Sequence, residues 1–322
     1  MNNKAVEISV IFSFRNEQEN IPALIERSRS ALESCTESFE IIFVNDDSTD
    51  TSLDLLKAHH EQDPRIKVVN MSRRFGVTEC VIAGLKYSSG EAIVFLDADL
   101  QDPPEVIPQL VEEWRGGADV VHTVRKKRKG ESKARVILTS LAYRLINLSS
   151  DLELPVDAGD FKLLSRRVVD HLLNMKDSRP YIRGLIAWVG FRQTFVEYVR
   201  DARQAGDSHF RFYGISAIFQ FFNGITAFSA LPIYLVLISG VVLFIIAVAL
   251  GIAALFVSGP AIGAMPAFTL IGFLILIWSS ILMALGVIGL YVSRIDQNVR
   301  NRPRFIVKDV LGIEEEVDRS DY

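Results

Sequence analysis

Glu91-Ala92-Ile93-Val94-Phe95-Leu96-Asp97-Ala98-Asp99-Leu100-Gln101-Asp102-Pro103-Pro104-Glu105 is the stretch that decides the fold. Its first six residues read as a buried strand, a short apolar run preceded by Gly90. The Pro-Pro pair and the acids around it then turn the chain sharply. Two carboxylates at i and i+2, Asp97 and Asp99, fall on one face if the strand continues. At a strand end they can reach one hard cation. Mg²⁺ or Mn²⁺ takes one or two protein carboxylates and fills its remaining positions with water and substrate phosphate oxygens.

Outward from that turn, the same unit repeats. Residues 6–12 form a mostly apolar, β-branched run that ends in Ser13-Phe14-Arg15-Asn16-Glu17. A helix then begins near Asn20-Ile21-Pro22, where Pro is tolerated in the first turn. Phe39–Val44 is a second strand, ending in Asn45-Asp46-Asp47-Ser48-Thr49-Asp50 ahead of another helix. Ile66–Asn70 is a third strand, and a helix is expected from about Val77 to Tyr87. Ala118–His122 reads as the strand after the acidic turn, Asp157-Ala158-Gly159-Asp160-Phe161 as a further acidic turn, and Phe191–Val199 as an alternating strand. Helices are expected over Ser132–Leu148, from Ser165 to about Met175 and within 179–190. Alternating strands and helices predict an α/β domain with a largely parallel, Rossmann-like sheet. In such sheets ligands bind beyond the C-terminal strand ends. Glu17, Asp46/Asp47 and Asp97/Asp99 all fall there, where their mutual repulsion calls for a cation or a hydrogen-bonding ligand.

The rest of the composition divides the chain. Of 322 residues 49% are hydrophobic, yet Phe212–Ser293 contains no Asp, Glu, Lys, Arg or His. Two stretches, near 231–257 and 267–292, exceed the roughly 20 residues that cross a bilayer. Phe212–Phe228, interrupted by Gln220 and Asn223, reads as a helix lying in the interface. Arg200, Arg203 and Arg211 flank one side and Arg294, Arg300, Arg302 and Arg304 the other. The positive-inside rule therefore puts both ends in the cytoplasm, in a multi-pass protein of the inner (plasma) membrane. The expected division is 1–210 catalytic, 211–228 interfacial, 229–293 a two-span hairpin and 294–322 a cytoplasmic tail. The start at Met1-Asn2-Asn3-Lys4 has no apolar core, so no cleavable signal is expected. Cys35 and Cys80 have no metal-ligand spacing and are expected to be reduced thiols. A net charge of −4 without basic-aromatic interleaving disfavours a nucleic-acid-binding module, and no nucleic-acid partner is expected.

The Leu96–Glu105 stretch resembles the family 2 glycosyltransferases, and among them those that load a sugar onto a polyprenyl phosphate, such as dolichol-phosphate mannose synthases and bactoprenol glucosyltransferases. Val44–Asp50 matches their second motif and Asn16-Glu17 part of the first. The resemblance covers about residues 6–210 and implies a GT-A fold, a nucleotide-sugar donor, Mg²⁺ or Mn²⁺, and inversion at the anomeric carbon. Its expected reaction is glucose transfer from UDP-glucose to undecaprenyl phosphate. GDP-mannose or a UDP-amino sugar is the alternative donor.

By position, the resemblance implies that Ser13, Arg15, Glu17, Asp46, Asp97 and Ala98 hold the nucleotide sugar. Asp99 and Gln101 would ligate the metal. Arg125, Arg135, Arg203 and Ser208 would bind phosphates of donor or acceptor. Asp157, with Asp97 and Asp99, would be catalytic, either as a base or by orienting a substrate. The family's first motif has a Tyr where this chain has Arg15, whose guanidinium plane could stack on a base instead. His209 stands where a Lys is common.

A lipid phosphate is already anionic at pH 7 and needs no strong base. A processive polysaccharide synthase would need one, and its Gln-x-x-Arg-Trp pattern is absent. A membrane-bound sugar-nucleotide sensor is the non-enzymatic alternative. Self-association through the spans is also expected.

Overall fold

A computed structural model describes residues 5–125, 158–178, 180–199, 231–256 and 267–313. The first half alternates as the sequence predicts: β1 (Ile8–Phe14), α1 (Ile21–Glu33), β2 (Phe39–Asn45), α2 (Ser52–Gln62), β3 (Ile66–Met71), α3 (Val77–Tyr87) and β4 (Ala92–Asp97). A 3-10 turn, Pro104–Val106, leads into α4 (Ile107–Arg115), then β5 (Val120–Arg125). After the undescribed 126–157 come β6 (Ala158–Ser165), α5 (Arg166–Asn174), α6 (Ile182–Trp188) and β7 (Gln193–Tyr198). Two long helices, α7 (Leu231–Phe256) and α8 (Ala267–Val299), precede β8 (Val307–Leu311).

The eight strands form one sheet in the order β7-β5-β6-β4-β1-β2-β3-β8. β3, β2, β1 and β4 are parallel neighbours, and β5 pairs parallel with β7. Every residue of β1 and β2 is buried, as expected of parallel strands covered on both faces. Val10, Phe12, Phe43 and Val94 pack on one side with Leu24 and Ile25 of α1 and Leu110 and Val111 of α4. Ile11, Ile42, Val44 and Phe95 pack on the other with Val81 and Leu85 of α3 and Val168 and Leu172 of α5. Each such side chain contributes about 1.5–3 kcal/mol through burial.

Two strands depart from the sequence reading. Residues 158–161 are the start of β6 and not a turn. β6 runs antiparallel between β4 and β5, with Phe95 opposite Lys162 and Val121 opposite Leu163. Gly159, Asp160 and Lys162 disguise it, because the fully buried Lys162 sits in a strand whose other face carries Phe161 and Leu163. Likewise, residues 307–311 are not a free tail. β8 pairs antiparallel with β3 and covers that edge of the sheet. The strand expected at Ala118–His122 begins at Val120 and extends to Arg125.

α7 has 26 residues and α8 has 33. Among the described residues, one helical segment, Leu276–Val299, is long and apolar enough to cross a membrane, with a mean hydropathy of 2.0. Pro232–Leu243 is a shorter apolar segment. The interfacial helix expected at 212–228 and the helix at 132–148 lie outside the described residues.

Candidate active site

β4 delivers Asp97 to the C-terminal edge of the parallel strands, directly opposite Ser13 of β1. Burial then alternates along the turn. Ala98, Leu100 and Asp102 are buried, whereas Asp97, Asp99 and Gln101 are partly open. Leu100 adopts a left-handed backbone (φ +57°) to place its side chain in the core, a conformation uncommon for a non-glycine residue. The apolar pair is thus the anchor that holds the two carboxylates and the amide on the open side. The Gln101 amide donates to Asp99 Oδ1 at 3.1 Å and closes the turn.

The loops after β1 and β2 are tied to each other at the same edge. The Asn16 amide donates to Ser48 Oγ (3.0 Å), Asn16 Oδ1 accepts the Thr49 amide (2.8 Å), and the Glu17 amide donates to Ser52 Oγ (3.1 Å). Buried Glu17 accepts from Asn20 Nδ2 at 2.5 Å. Buried Asp46 accepts the amides of Phe75 (2.6 Å) and Gly76 (3.1 Å). Gly76 is the N-cap of α3, where a carboxylate also meets the favourable end of the helix dipole. The expectation that these acid clusters call for a cation or a hydrogen-bonding ligand is met in part by the protein's own donors. Glu17 and Asp46 have protein donors and are buried, whereas Asp97 and Asp99 are partly open to solvent. Arg15, directly after β1, is half-buried. Ser13 Oγ is buried without a hydrogen-bond partner among the described residues.

Arg125 closes the far side. Its Nε donates to the Tyr198 phenol oxygen at 3.1 Å, and its Nη2 lies 3.8 Å from Asp102 Oδ2. The Tyr198 hydroxyl in turn donates to Asp102. Burial raises the Tyr198 phenol to about 12, helped by the Asp102 carboxylate, so it stays protonated. Gly159 of β6 lies against this arrangement, and a Cβ there would meet Arg125 Nη2 at 3.4 Å, an ordinary van der Waals contact. Beside it, Arg183 donates twice to Asp160, both at 2.6 Å. Burial brings the neighbouring Lys162 amine down to about 8, against the pull of Asp160.

Neither the Asp102–Tyr198–Arg125 chain nor the Lys162–Asp160–Arg183 cluster is foreseen in the sequence. Tyr198 at a strand end and an acid three residues past Asp99 are the signals that point to the first. Of the residues implicated by resemblance, Ser13, Arg15, Glu17, Asp46, Asp97, Ala98, Asp99, Gln101 and Arg125 fall on this one edge. Arg135, Asp157, Arg203 and Ser208 lie outside the described residues.

No group of three or more His, Cys, Asp or Glu that could hold a metal occurs among the described residues. Asp97, Asp99 and Gln101 instead offer a small, all-oxygen set on the open side of the turn. That donor chemistry fits Mg²⁺ or Mn²⁺, which take their remaining ligands from water and phosphate.

The chain is similar in sequence to known proteins. The pattern of the Glycosyl transferase family 2 family matches residues 9–173. An uncharacterized glycosyltransferase of Bacillus subtilis is 37% identical over 96% of this chain and 95% of its own length. A prophage bactoprenol glucosyl transferase homolog of Escherichia coli is 32% identical over 95% of this chain and 99% of its own. Among solved structures, a mannosyltransferase from Pyrobaculum calidifontis in complex with GDP-Man and Mn²⁺ shares 18% identity, covering 61% of this chain and 56% of that one with a TM-score of 0.45. With the family pattern over half the chain and relatives above 30% identity along nearly all of it, the chain is a glycosyltransferase and belongs to glycosyl transferase family 2.

Proposed function

We propose that the protein transfers a sugar, glucose from UDP-glucose, to undecaprenyl phosphate at the cytoplasmic face of the inner membrane, with inversion. The observation that carries this reading is the coincidence of the Asp97–Asp99 turn at the parallel sheet's C-terminal edge with a relative that matches from end to end. That relative is named for bactoprenol glucosyl transfer, and the match includes the apolar helices.

Within that reading, Ser13, Arg15, Glu17, Asp46, Asp97 and Ala98 form the nucleotide-sugar pocket. Asp46 fixes the Phe75–Gly76 turn and still has lone-pair capacity for the nucleoside. Asp99 and Gln101 would hold Mg²⁺ or Mn²⁺, which would offset negative charge on the departing diphosphate. Arg125 holds a phosphate through its guanidinium fork, joined by Arg135, Arg203 and Ser208. Because the acceptor oxygen is already anionic, rate acceleration comes from orientation and from fixed charges. Asp157 orients a substrate.

Residues 1–210 form the catalytic domain. Residues 211–228 lie in the interface and guide the isoprenoid. Residues 229–293 cross the membrane twice and associate with other copies, which leaves both termini in the cytoplasm. Membranes carrying the protein, given undecaprenyl phosphate and a panel of UDP-glucose, GDP-mannose and UDP-N-acetylglucosamine, should make a labelled lipid fastest from UDP-glucose. Preference for another donor would reassign the sugar. No lipid product from any donor would overturn the reaction.

A further inference from the structure

Arg125 and the acidic turn come from strands on opposite sides of β6, yet they are joined through the Tyr198 phenol and by an ion pair of Arg125 Nη2 with Asp102 Oδ2 at 3.8 Å. Asp102 lies three residues beyond Asp99 and is almost wholly buried. Tyr198 ends β7 and is equally enclosed, its ring edge-on to Phe161 at 5.9 Å. The hydroxyl donates to Asp102 and accepts from Arg125 Nε. The direction of both bonds is fixed, since the carboxylate can only accept and the guanidinium can only donate. Such a chain of hydrogen bonds, with its phenol and carboxylate buried, polarises its members and holds them in place.

We propose that Tyr198 and Asp102 are positioning residues that seat the Arg125 guanidinium and set its distance from the Asp97–Asp99 turn. The inference rests on the reading of Arg125 as a phosphate ligand. The phenol engages Nε. A two-point contact to phosphate uses the guanidinium's other N–H groups, and those are oriented only if the plane of the guanidinium is held. A free arginine side chain samples many rotamers. A seated one has lost that entropy before substrate arrives. The seat also links the turn that faces the donor diphosphate to the arginine, so a shift of one is felt by the other.

The test is a kinetic cycle on the purified full-length protein in lipid nanodiscs, with undecaprenyl phosphate and the donor that gives the fastest transfer in the panel above. The variants are Tyr198→Phe, Arg125→Ala and the double variant. Tyr198→Phe keeps the ring and its packing on Phe161. We expect it to raise, about tenfold, the KM of the same phosphate-bearing substrate that Arg125→Ala affects. The melting temperature should stay within a few degrees of the wild type, and the other substrate's KM should not move. In the Arg125→Ala background, Tyr198→Phe should have no further effect. Asp102→Asn, which still accepts from the phenol, should show a smaller effect than Tyr198→Phe.

If Arg125→Ala impairs transfer and Tyr198→Phe matches the wild type, the positioning role is wrong and the phosphate reading stands. The positioning role is also wrong if Tyr198→Phe is equally damaging without Arg125. If Arg125→Ala itself leaves both KM values unchanged, the phosphate reading fails, and this inference fails with it.

Discussion

Ser13 and Asp97 face each other across the parallel pair β1–β4, and the serine hydroxyl is buried without a hydrogen-bond partner among the described residues. A buried hydroxyl left unpaired carries a desolvation penalty of about 1–3 kcal/mol, which a ligand at this edge would relieve. Ser13→Ala should therefore leave the melting temperature unchanged or slightly higher and raise the donor KM about fivefold, the value of one ordinary hydrogen bond. Titration of donor binding to the variant checks this. An unaltered donor KM would remove Ser13 from the pocket.

Asp46 has a structural task as well as its proposed one. Asp46→Ala strands the Phe75 and Gly76 amides at the start of α3 and should lower stability by about 1–3 kcal/mol. Asp46→Asn keeps an acceptor and should recover most of that loss while still weakening nucleotide binding. Chemical denaturation set beside nucleotide titration separates the two tasks. An Asn variant with normal affinity would leave Asp46 with the structural task alone.

Acid should act on the sheet through His122. Burial, with the Lys162 charge added, holds this imidazole at about 4, although Gln193 accepts from its Nε2 at 2.7 Å and works the other way. The free imidazole has a value near 6.5. The unfolded chain therefore binds more protons between these values, and stability is complete above pH 6.5 and falls as pH drops toward 4. The loss is about 3 kcal/mol. His122→Gln should flatten that part of the stability–pH curve. An equally steep curve in the variant would place the titration elsewhere.

The parallel strands are legible in the sequence because their burial on both faces leaves largely apolar runs, broken only by Ser9 and Ser13 in Ile8–Phe14 and by Glu40 in Phe39–Val44. β6 is not, because Gly159, Asp160 and Lys162 imitate a turn until Arg183 is seen to pair with Asp160. β8 is not, because Val307–Leu311 is short and charged, and its place depends on β3 lying alongside. In the site, the strand-end position of Asp97 and Asp99 follows from local pattern. The Asp102–Tyr198–Arg125 chain joins residues 96 apart at its widest step, a relation that only the folded sheet supplies.

β8 ties the chain after α8 to the sheet. Asn45 Nδ2 donates to Asn70 Oδ1 at 3.1 Å, and Asn70 Nδ2 donates to Asp309, so the strand after α8 is bonded toward the loop that bears Asp46. Phe305, Val307 and Val310 pack on the same core cluster as α3. Truncation at residue 300 should lower the melting temperature by several degrees and weaken nucleotide binding together. Restoring 301–313 through a flexible linker should recover both. A truncated protein of wild-type stability would show that β8 is dispensable.

The direct measurement is the product itself. Purified protein, undecaprenyl phosphate, radiolabelled UDP-glucose and Mg²⁺ or Mn²⁺ should give a labelled glucosyl phospholipid of inverted anomeric configuration. Asp99→Ala, folded by circular dichroism, should give essentially none at saturating metal. Wild-type turnover by Asp99→Ala, or no labelled lipid from the wild-type protein with any nucleotide sugar, would contradict the proposed reaction at this site.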